Sequence, residues 1–335
     1  MNGIRGNVIV GQSGGPTAVI NSSLAGVFKT AKDRGANKVY GMLHGIQGLL
    51  QERYVDLEDH IKNDLDIELL KRTPSAYLGS CRFKLPDISQ DREIYDKIFD
   101  ILNKLEIEYF FYIGGNDSMD TIKKLSDYAI ITGQSQKFLG VPKTIDNDLW
   151  GTEMTFGFNS AVEIATNVID CIHTTATSHG RVFIVEIMGH KVGWLTLYAG
   201  IAGGSDVILP PEIPYDINKV VDSLYLRTGQ GKRFCILAVA EGALSKKEAE
   251  MSKKEFKASR ANMSFPSVSY RVAHEIVELT GREVRVTVPG HFQRGGGPCP
   301  YDRLLATRFG TAAVRLIEEG NFGNMVALQN GNIVA

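Results

Sequence analysis

The sequence predicts an α/β fold built as two lobes, each a mainly parallel sheet flanked by helices. Three observations predict it. Short apolar runs alternate with stretches of helical spacing along the whole chain, as in successive βαβ units. Glycine-rich or acid-rich segments follow several apolar runs directly, where a parallel sheet presents its loops to ligands. The 335 residues suit two domains of about 150 residues each.

The elements read as follows. Val8–Val10 is a buried-strand run, Thr17–Lys32 a helix and Val39–Met42 a strand. Helical spacing over Asp91–Leu105 precedes a strand at Tyr109–Ile113, a helix at Met119–Tyr128 and a strand at Phe138–Val141. Ala161–His173 is helical, and LWGTEMTFG (Leu149–Gly157) is the candidate crossing between lobes. The second half has strands at Arg181–Ile187, Arg233–Ala240, Arg285–Val288 and Met325–Leu328. Its helices are Trp194–Ala202, Ile217–Thr228, Ser264–Thr280 and Leu304–Gly320. The charged run Ser245–Lys257 reads as a solvated surface helix or loop.

Composition narrows the class. With 37 basic against 38 acidic side chains there is no global pull toward nucleic acid or membrane. Charged residues at 22% and hydrophobic residues at 43% are ordinary for a globular chain. No apolar run approaches the ~20 residues of a membrane span. MNGIRGNVIVG enters a strand-like run with no signal-peptide pattern. Four cysteines, Cys81, Cys171, Cys235 and Cys299, form no C-x-x-C pair and suit reduced thiols in a cytoplasm. Glycine is the outlier at 35 residues, and it clusters.

Three strand-end loops carry the chemistry. GQSGGPTAVIN (Gly11–Asn21) places glycines between a strand and a helix, which makes either an anion cradle or a tight β-to-α turn. It lacks the G-x-x-x-x-G-K-[ST] spacing of a P-loop. GGNDS (Gly114–Ser118) sets two glycines and a carboxylate at a strand end. PKTIDND (Pro142–Asp148) crowds Lys143, Asp146 and Asp148 into one turn, a costly arrangement unless a polyanion, metal or proton is handled there.

With these residues in view, the sequence resembles the phosphofructokinase family, closest to its pyrophosphate-dependent members. The resemblance runs from Val8 to Leu328 through SGGPTAVIN, LGSCRF, IGGNDS, PKTIDND, EIMGH, AEGA, GHFQRGG and PYDR in order. It implies two Rossmann-like lobes with the active site in the cleft between them. The donor lobe would span residues 1–157 plus about 295–335, and the sugar-phosphate lobe about 158–294. It implies phosphoryl transfer to the 1-hydroxyl of fructose 6-phosphate, with Mg2+, in a cytoplasmic homodimer or homotetramer. Asp146 matches the general base and Asp148 its neighbour that orients it or the metal. Arg82 matches the arginine on the transferring phosphoryl group. Gly15, Gly115, Asp117, Ser118 and Lys143 fall at donor-binding positions. Thr144, Ile145, Met188, Gly189, His190 and Glu241 fall around the sugar, and His291, Phe292, Gln293 and Arg294 at its 6-phosphate end. Arg181 and Arg285 match arginines that reach the 6-phosphate from a neighbouring subunit.

Several positions depart from the family pattern or divide it. Asn116 stands where an aspartate contacts magnesium, and His190 where an arginine is usual. Ala25 and Lys29 stand at two cationic effector positions, which implies weak nucleotide control. Asp117 and Lys143 replace two glycines of ATP-using members and are shared with the pyrophosphate branch. Asp117 would add bulk and charge against a nucleotide, while Lys143 supplies a cation to pyrophosphate, and the two side chains would stand together as a gate. An ATP-dependent enzyme and a non-catalytic sugar-phosphate-binding paralogue are the alternatives.

Overall fold

The computed structural model describes residues 4–335. The chain forms two compact units: one runs to Asn159 and resumes over Arg294–Ala335, and the other is Ser160–Gln293. The breaks expected at 157/158 and 294/295 fall at 159/160 and 293/294.

The first stretch of the discontinuous unit contains β1 (Asn7–Gln12), α1 (Ile20–Asp33), β2 (Val39–Met42), α2 (Gly45–Leu49), β3 (Tyr54–Asp56) and α3 (Asp64–Arg72). There follow α4 (Arg92–Lys104), β4 (Ile107–Gly114), α5 (Asn116–Thr132), β5 (Lys137–Thr144) and β6 (Phe156–Gly157). The strand order is β3-β2-β1-β4-β5-β6. Every pair is parallel except β2–β3. β1 and β4 therefore flank the point where the winding reverses, the place where α/β sheets bind ligands. β1 is buried throughout, as a central parallel strand must be.

The continuous unit holds nearly all of α6 (Phe158–His179), then β7 (Val182–Ile187), α7 (Trp194–Ala202), β8 (Val207–Leu209) and α8 (Ile217–Gly229). β9 (Cys235–Ala240), α9 (Lys246–Ala249), α10 (Lys253–Ala261), α11 (Val268–Thr280) and β10 (Val284–Thr287) complete it. Its sheet is parallel in the order β10-β7-β9-β8. α11 starts at Val268 rather than Ser264, because Pro266 disfavours helical geometry at Phe265.

The charged run is a mostly exposed surface segment, as expected, and departs from that reading at one residue. It forms two short helices, each opened by a capping box, Ser245 with Glu248 and Ser252 with Glu255. Glu248 is buried, not solvated. Arg271 donates to both of its oxygens at 2.7 Å, and Arg260 Nε lies 2.8 Å away. Burial would raise the Glu248 pKa; the hydrogen bonds from Arg271 and Ser245, with the nearby charges, outweigh it and hold the carboxyl at about 2.

The chain then returns to the first unit as α12 (Pro300–Glu318), with a small hairpin of β11 (Ala327–Gln329) and β12 (Asn332–Val334). Alternation along β1 sends Val8 and Val10 into a core with α1, α3 and α12, and Ile9 into a core with α4 and α5. α1 and α12 cross closely at two glycines. A methyl on Gly310 would overlap the Ser23 carbonyl oxygen, and one on Gly26 would sit 2.5 Å from the Thr307 carbonyl oxygen. α1 begins at Ile20 instead of Thr17, because Thr17 turns first and its hydroxyl accepts the Val19 N–H at 3.2 Å.

Candidate active site

In the first unit, three loops leave the carboxyl ends of adjacent parallel strands. After β1, Ser13 N–H donates to the Ile113 carbonyl and Gly14 N–H to the Cys81 carbonyl, each at 2.9 Å. The expected cradle is therefore narrower, since two of its amides hold the loop to β4 and to the Cys81 segment. Gly14 takes φ +76°, a conformation that favours glycine. The Ser80 hydroxyl donates to the Gly14 carbonyl at 2.6 Å. Behind the loop, Gln12 and Asn21 bond each other at 3.0 Å and accept the Leu78 and Tyr77 amides.

The loop after β4 leads at once into α5. Gly115 caps the helix, and no side chain among the described residues caps its first turn. The positive end of a 17-residue helix thus faces out at Asn116 and Asp117. Ser118 is buried, and its hydroxyl bonds that of Ser13, which ties the second loop to the first. A methyl on Gly114 would overlap both hydroxyls, so the tie requires glycine there.

The turn after β5 is fixed by Asn147, at φ +52°, whose side-chain oxygen accepts the Thr155 N–H at 2.8 Å. Thr144 Oγ1 accepts the Asp146 N–H at 3.0 Å. Ile145 is buried, so its side chain is part of the core. Asn116 donates from its side-chain amide to Asp148 Oδ2 at 2.7 Å, which links the second and third loops.

Lys143 is the electrostatic centre of this set. Its side chain is 3% exposed, and its ammonium donates to the Gly15 carbonyl at 2.6 Å. Burial, reinforced by the charges of Arg294 and Arg82 and opposed by Asp146 and Asp148, lowers its pKa to about 8. The expected pair with Asp117 does not form among the described residues. The Lys143 ammonium reaches back along β5 to the glycine loop, while Asp117 is exposed on the first turn of α5. Arg294, expected beside His291, lies with the first unit. A methyl on Gly15 would sit 3.0–3.3 Å from its guanidinium.

In the second unit, the loops after β7 and β9 meet. Glu241 Oε1 accepts the His190 N–H at 2.8 Å and the Gly189 N–H at 3.3 Å. His190 is exposed at φ +51°. Gln293 is 1% exposed. Its carbonyl oxygen accepts the Met188 N–H at 3.3 Å and its amide donates to the Gly290 carbonyl at 3.1 Å, so its side chain braces two loops instead of facing a sugar. His291 and Phe292 are exposed. Arg181 and Arg285 lie at the opposite, amino-terminal end of the sheet. Arg181 immediately precedes β7, and Arg285 pairs with Phe183. Seven residue steps, about 23 Å of extended chain, separate Arg181 from Met188, and five steps, about 17 Å, separate the register of Arg285 from it.

Glycine loops and the start of α5 at the winding reversal, with a buried ammonium and a carboxylate turn at the end of the adjoining β5, suit an α/β protein that handles phosphate groups. A model described as Phosphofructokinase matches residues 7–317, and the chain belongs to that family. The ATP-dependent 6-phosphofructokinase of Spirochaeta thermophila is 46% identical over 330 residues, covering 96% of this chain and 87% of the relative. The ATP-dependent 6-phosphofructokinase 3 of Bacteroides thetaiotaomicron is 40% identical, covering 96% and 88%. A crystal structure of the pyrophosphate-dependent phosphofructokinase of Nitrosospira multiformis superposes with a TM-score of 0.82 at 30% identity, covering 94% of this chain and 77% of that one.

Sequence reasoning left out the residues that hold the loops together. Gln12, Ser13 and Asn21 lay inside a motif read for its glycines, and Ser80 inside one read for its arginine. Their signal was present as uncharged polar residues directly beside buried strand and loop positions, where each must find a partner.

Proposed function

We propose that this chain is a pyrophosphate-dependent 6-phosphofructokinase. It moves a phosphoryl group reversibly between pyrophosphate and the 1-hydroxyl of fructose 6-phosphate, a glycolytic step in the cytoplasm. The Lys143 ammonium, buried against Gly15, carries the choice of donor: it puts a fixed cation at the glycine loop, where a short polyanion has the greatest need of one. Asp117 on the first turn of α5 adds negative charge at the same strand-end face, against the longer nucleotide.

The work divides by unit. In the first, Gly15, Gly115 and Ser118 form the donor loops. Arg82 and Lys143 spread positive charge over the transferring group, and Asp146 takes the hydroxyl proton beside Thr144 and Ile145. Asn116 orients Asp148. Magnesium suits this donor set. It is held by one or two carboxylates plus substrate phosphates, and no cluster of three or more His, Cys, Asp or Glu forms a metal cage among the described residues. Asn116 and Asp148 would hold it, and the ion neutralises phosphate charge when bound. In the second unit, Met188, Gly189, His190 and Glu241 receive the sugar, with His291 at its phosphate; Arg294 keeps the sugar-phosphate role that the resemblance implies. Arg181 and Arg285 lie at the far end of the sheet from their own sugar loops and are assigned to a neighbouring copy. The exposed apolar side chains Trp194, Tyr198 and Ile201 on α7 support association.

An ATP-dependent enzyme is the second reading. The names of the two sequence relatives favour it. A cavity of about 290 Å³, lined by His44, Gln47, Gln51, Arg53 and Ser80, adjoins the glycine loop through Ser80 and would give the longer donor room. Initial rates with fructose 6-phosphate and magnesium, first with pyrophosphate and then with ATP, decide between them. The expected result is turnover with pyrophosphate alone, reduced at least tenfold in Lys143→Gly. Turnover with ATP alone establishes the second reading, and turnover with neither leaves a non-catalytic sugar-phosphate binder.

A further inference from the structure

At the amino-terminal edge of the second unit's sheet, one carboxylate serves two guanidiniums. Arg181 Nε donates to Glu283 Oε2 at 2.6 Å, and Arg285 Nη2 donates to Glu283 Oε1. The backbone fixes this arrangement. β10 pairs with β7 in parallel register, Val284 beside Val182, so the positions just before each strand come side by side. The Glu283 carbonyl accepts the Val182 N–H at 3.3 Å, so its side chain cannot move far from Arg181. The adjacent Arg282 is engaged elsewhere, donating to Thr228 and lying over the Tyr225 ring.

We infer that Glu283 is a positioning residue, a resident anion that keeps Arg181 and Arg285 together as a fork and competes with the sugar phosphate for their charge. The inference rests on the assignment of these two arginines to the phosphate of a neighbouring copy. A phosphate monoester is drawn to the same two guanidiniums, and the carboxylate, which takes one N–H from each, competes with it for their charge. Without Glu283 two like charges would face each other and spread apart. With it they stay convergent, but the pair presents a net charge of only +1. All three side chains are partly or fully exposed, so each contact is weak and exchangeable. Charge on the edge strand β10 also discourages pairing with another sheet, but that role does not require Arg181 to share the same carboxylate. Glu283 therefore limits the affinity for sugar phosphate in return for a ready-made fork.

The test is steady-state kinetics of the full-length enzyme with whichever donor supports turnover, held saturating, with inorganic phosphate as a probe that competes with fructose 6-phosphate. Glu283→Gln keeps the shape and removes the charge. It should lower the KM for fructose 6-phosphate about three- to tenfold, move kcat far less, and lower the inhibition constant of inorganic phosphate in parallel. Glu283→Asp keeps the charge but is too short to hold both guanidiniums, so it loses the fork without relieving the competition and should raise KM above that of the wild type. Arg181→Ala and Arg285→Ala should each raise KM. An unchanged or raised KM in Glu283→Gln, while the arginine variants raise theirs, overturns the role of Glu283 and leaves the shared site standing. If the arginine variants leave KM unchanged, the shared site and the role of Glu283 fall together.

Discussion

At the scale of single residues, Lys143 makes a prediction about pH. Its ammonium is protonated below about 8 and lost above it. Activity and stability should therefore move in opposite directions. The donor kcat/KM of the free enzyme should fall on the alkaline side with a midpoint near 8. Between that value and the ordinary lysine pKa of about 10.5 the unfolded chain holds the proton more tightly than the folded one. The contribution of this group to stability consequently rises with pH across that window. Rate profiles from pH 6.5 to 9.5, set beside denaturant unfolding at each pH, check both directions. A flat profile to pH 9.5 would mean that the reaction does not use the Lys143 charge. Charge crowding in one strand-end turn, together with motif position, made Lys143, Asp146 and Asp148 legible in the sequence. Motif position could not show that Lys143 reaches Gly15 instead of Asp117, since direction depends on which neighbour the fold brings within range.

Among the elements, the α1–α12 crossing depends on two glycines facing backbone. Gly310→Ala places a methyl group into the Ser23 carbonyl, where no side chain can yield. The expected loss is about 1–3 kcal/mol from overpacking, against a helix-propensity gain of about 1 at most. Gly229→Ala at the end of α8 is the control, because its methyl meets no atom within 4 Å. It should be neutral or mildly stabilising in the same urea titration. If the two variants behave alike, the glycines are not what sets the crossing. The long elements were readable because their apolar period is strong: β4, β5, α4 and α7 lie where the pattern puts them. The short ones were not. β3 and β8 have three residues each, too few to display a period. α3 buries only Ile67 and Leu70. Glu248 was misread for a different reason: its partner Arg271 lies 23 residues along the chain, beyond any local charge pattern.

For the whole molecule, a site completed by a neighbouring copy predicts complementation between defects. Assayed at fructose 6-phosphate well below the raised KM of Arg181→Ala, chains carrying that substitution and chains carrying Asp146→Ala should each be nearly inactive. Mixed under conditions that allow subunits to exchange, they should regain activity, because some hybrid sites then receive an intact residue of each kind. Activity no greater than the sum of the separate proteins would argue for sites built within single chains. The path of the chain through its two units has a further effect, which concerns synthesis. The Thr30 and Thr311 hydroxyls that bond across the α1–α12 crossing at 3.2 Å stand 281 residues apart. At roughly 5–20 residues per second, a ribosome extends the chain for many seconds after α1 emerges before it makes α12. Until then the apolar side of α1 lacks its partner although the six strands of its sheet are made, while Ser160–Gln293 is already synthesised whole. Contacts this distant in sequence are also the slow ones to form. The unit that begins the chain is thus the last to close.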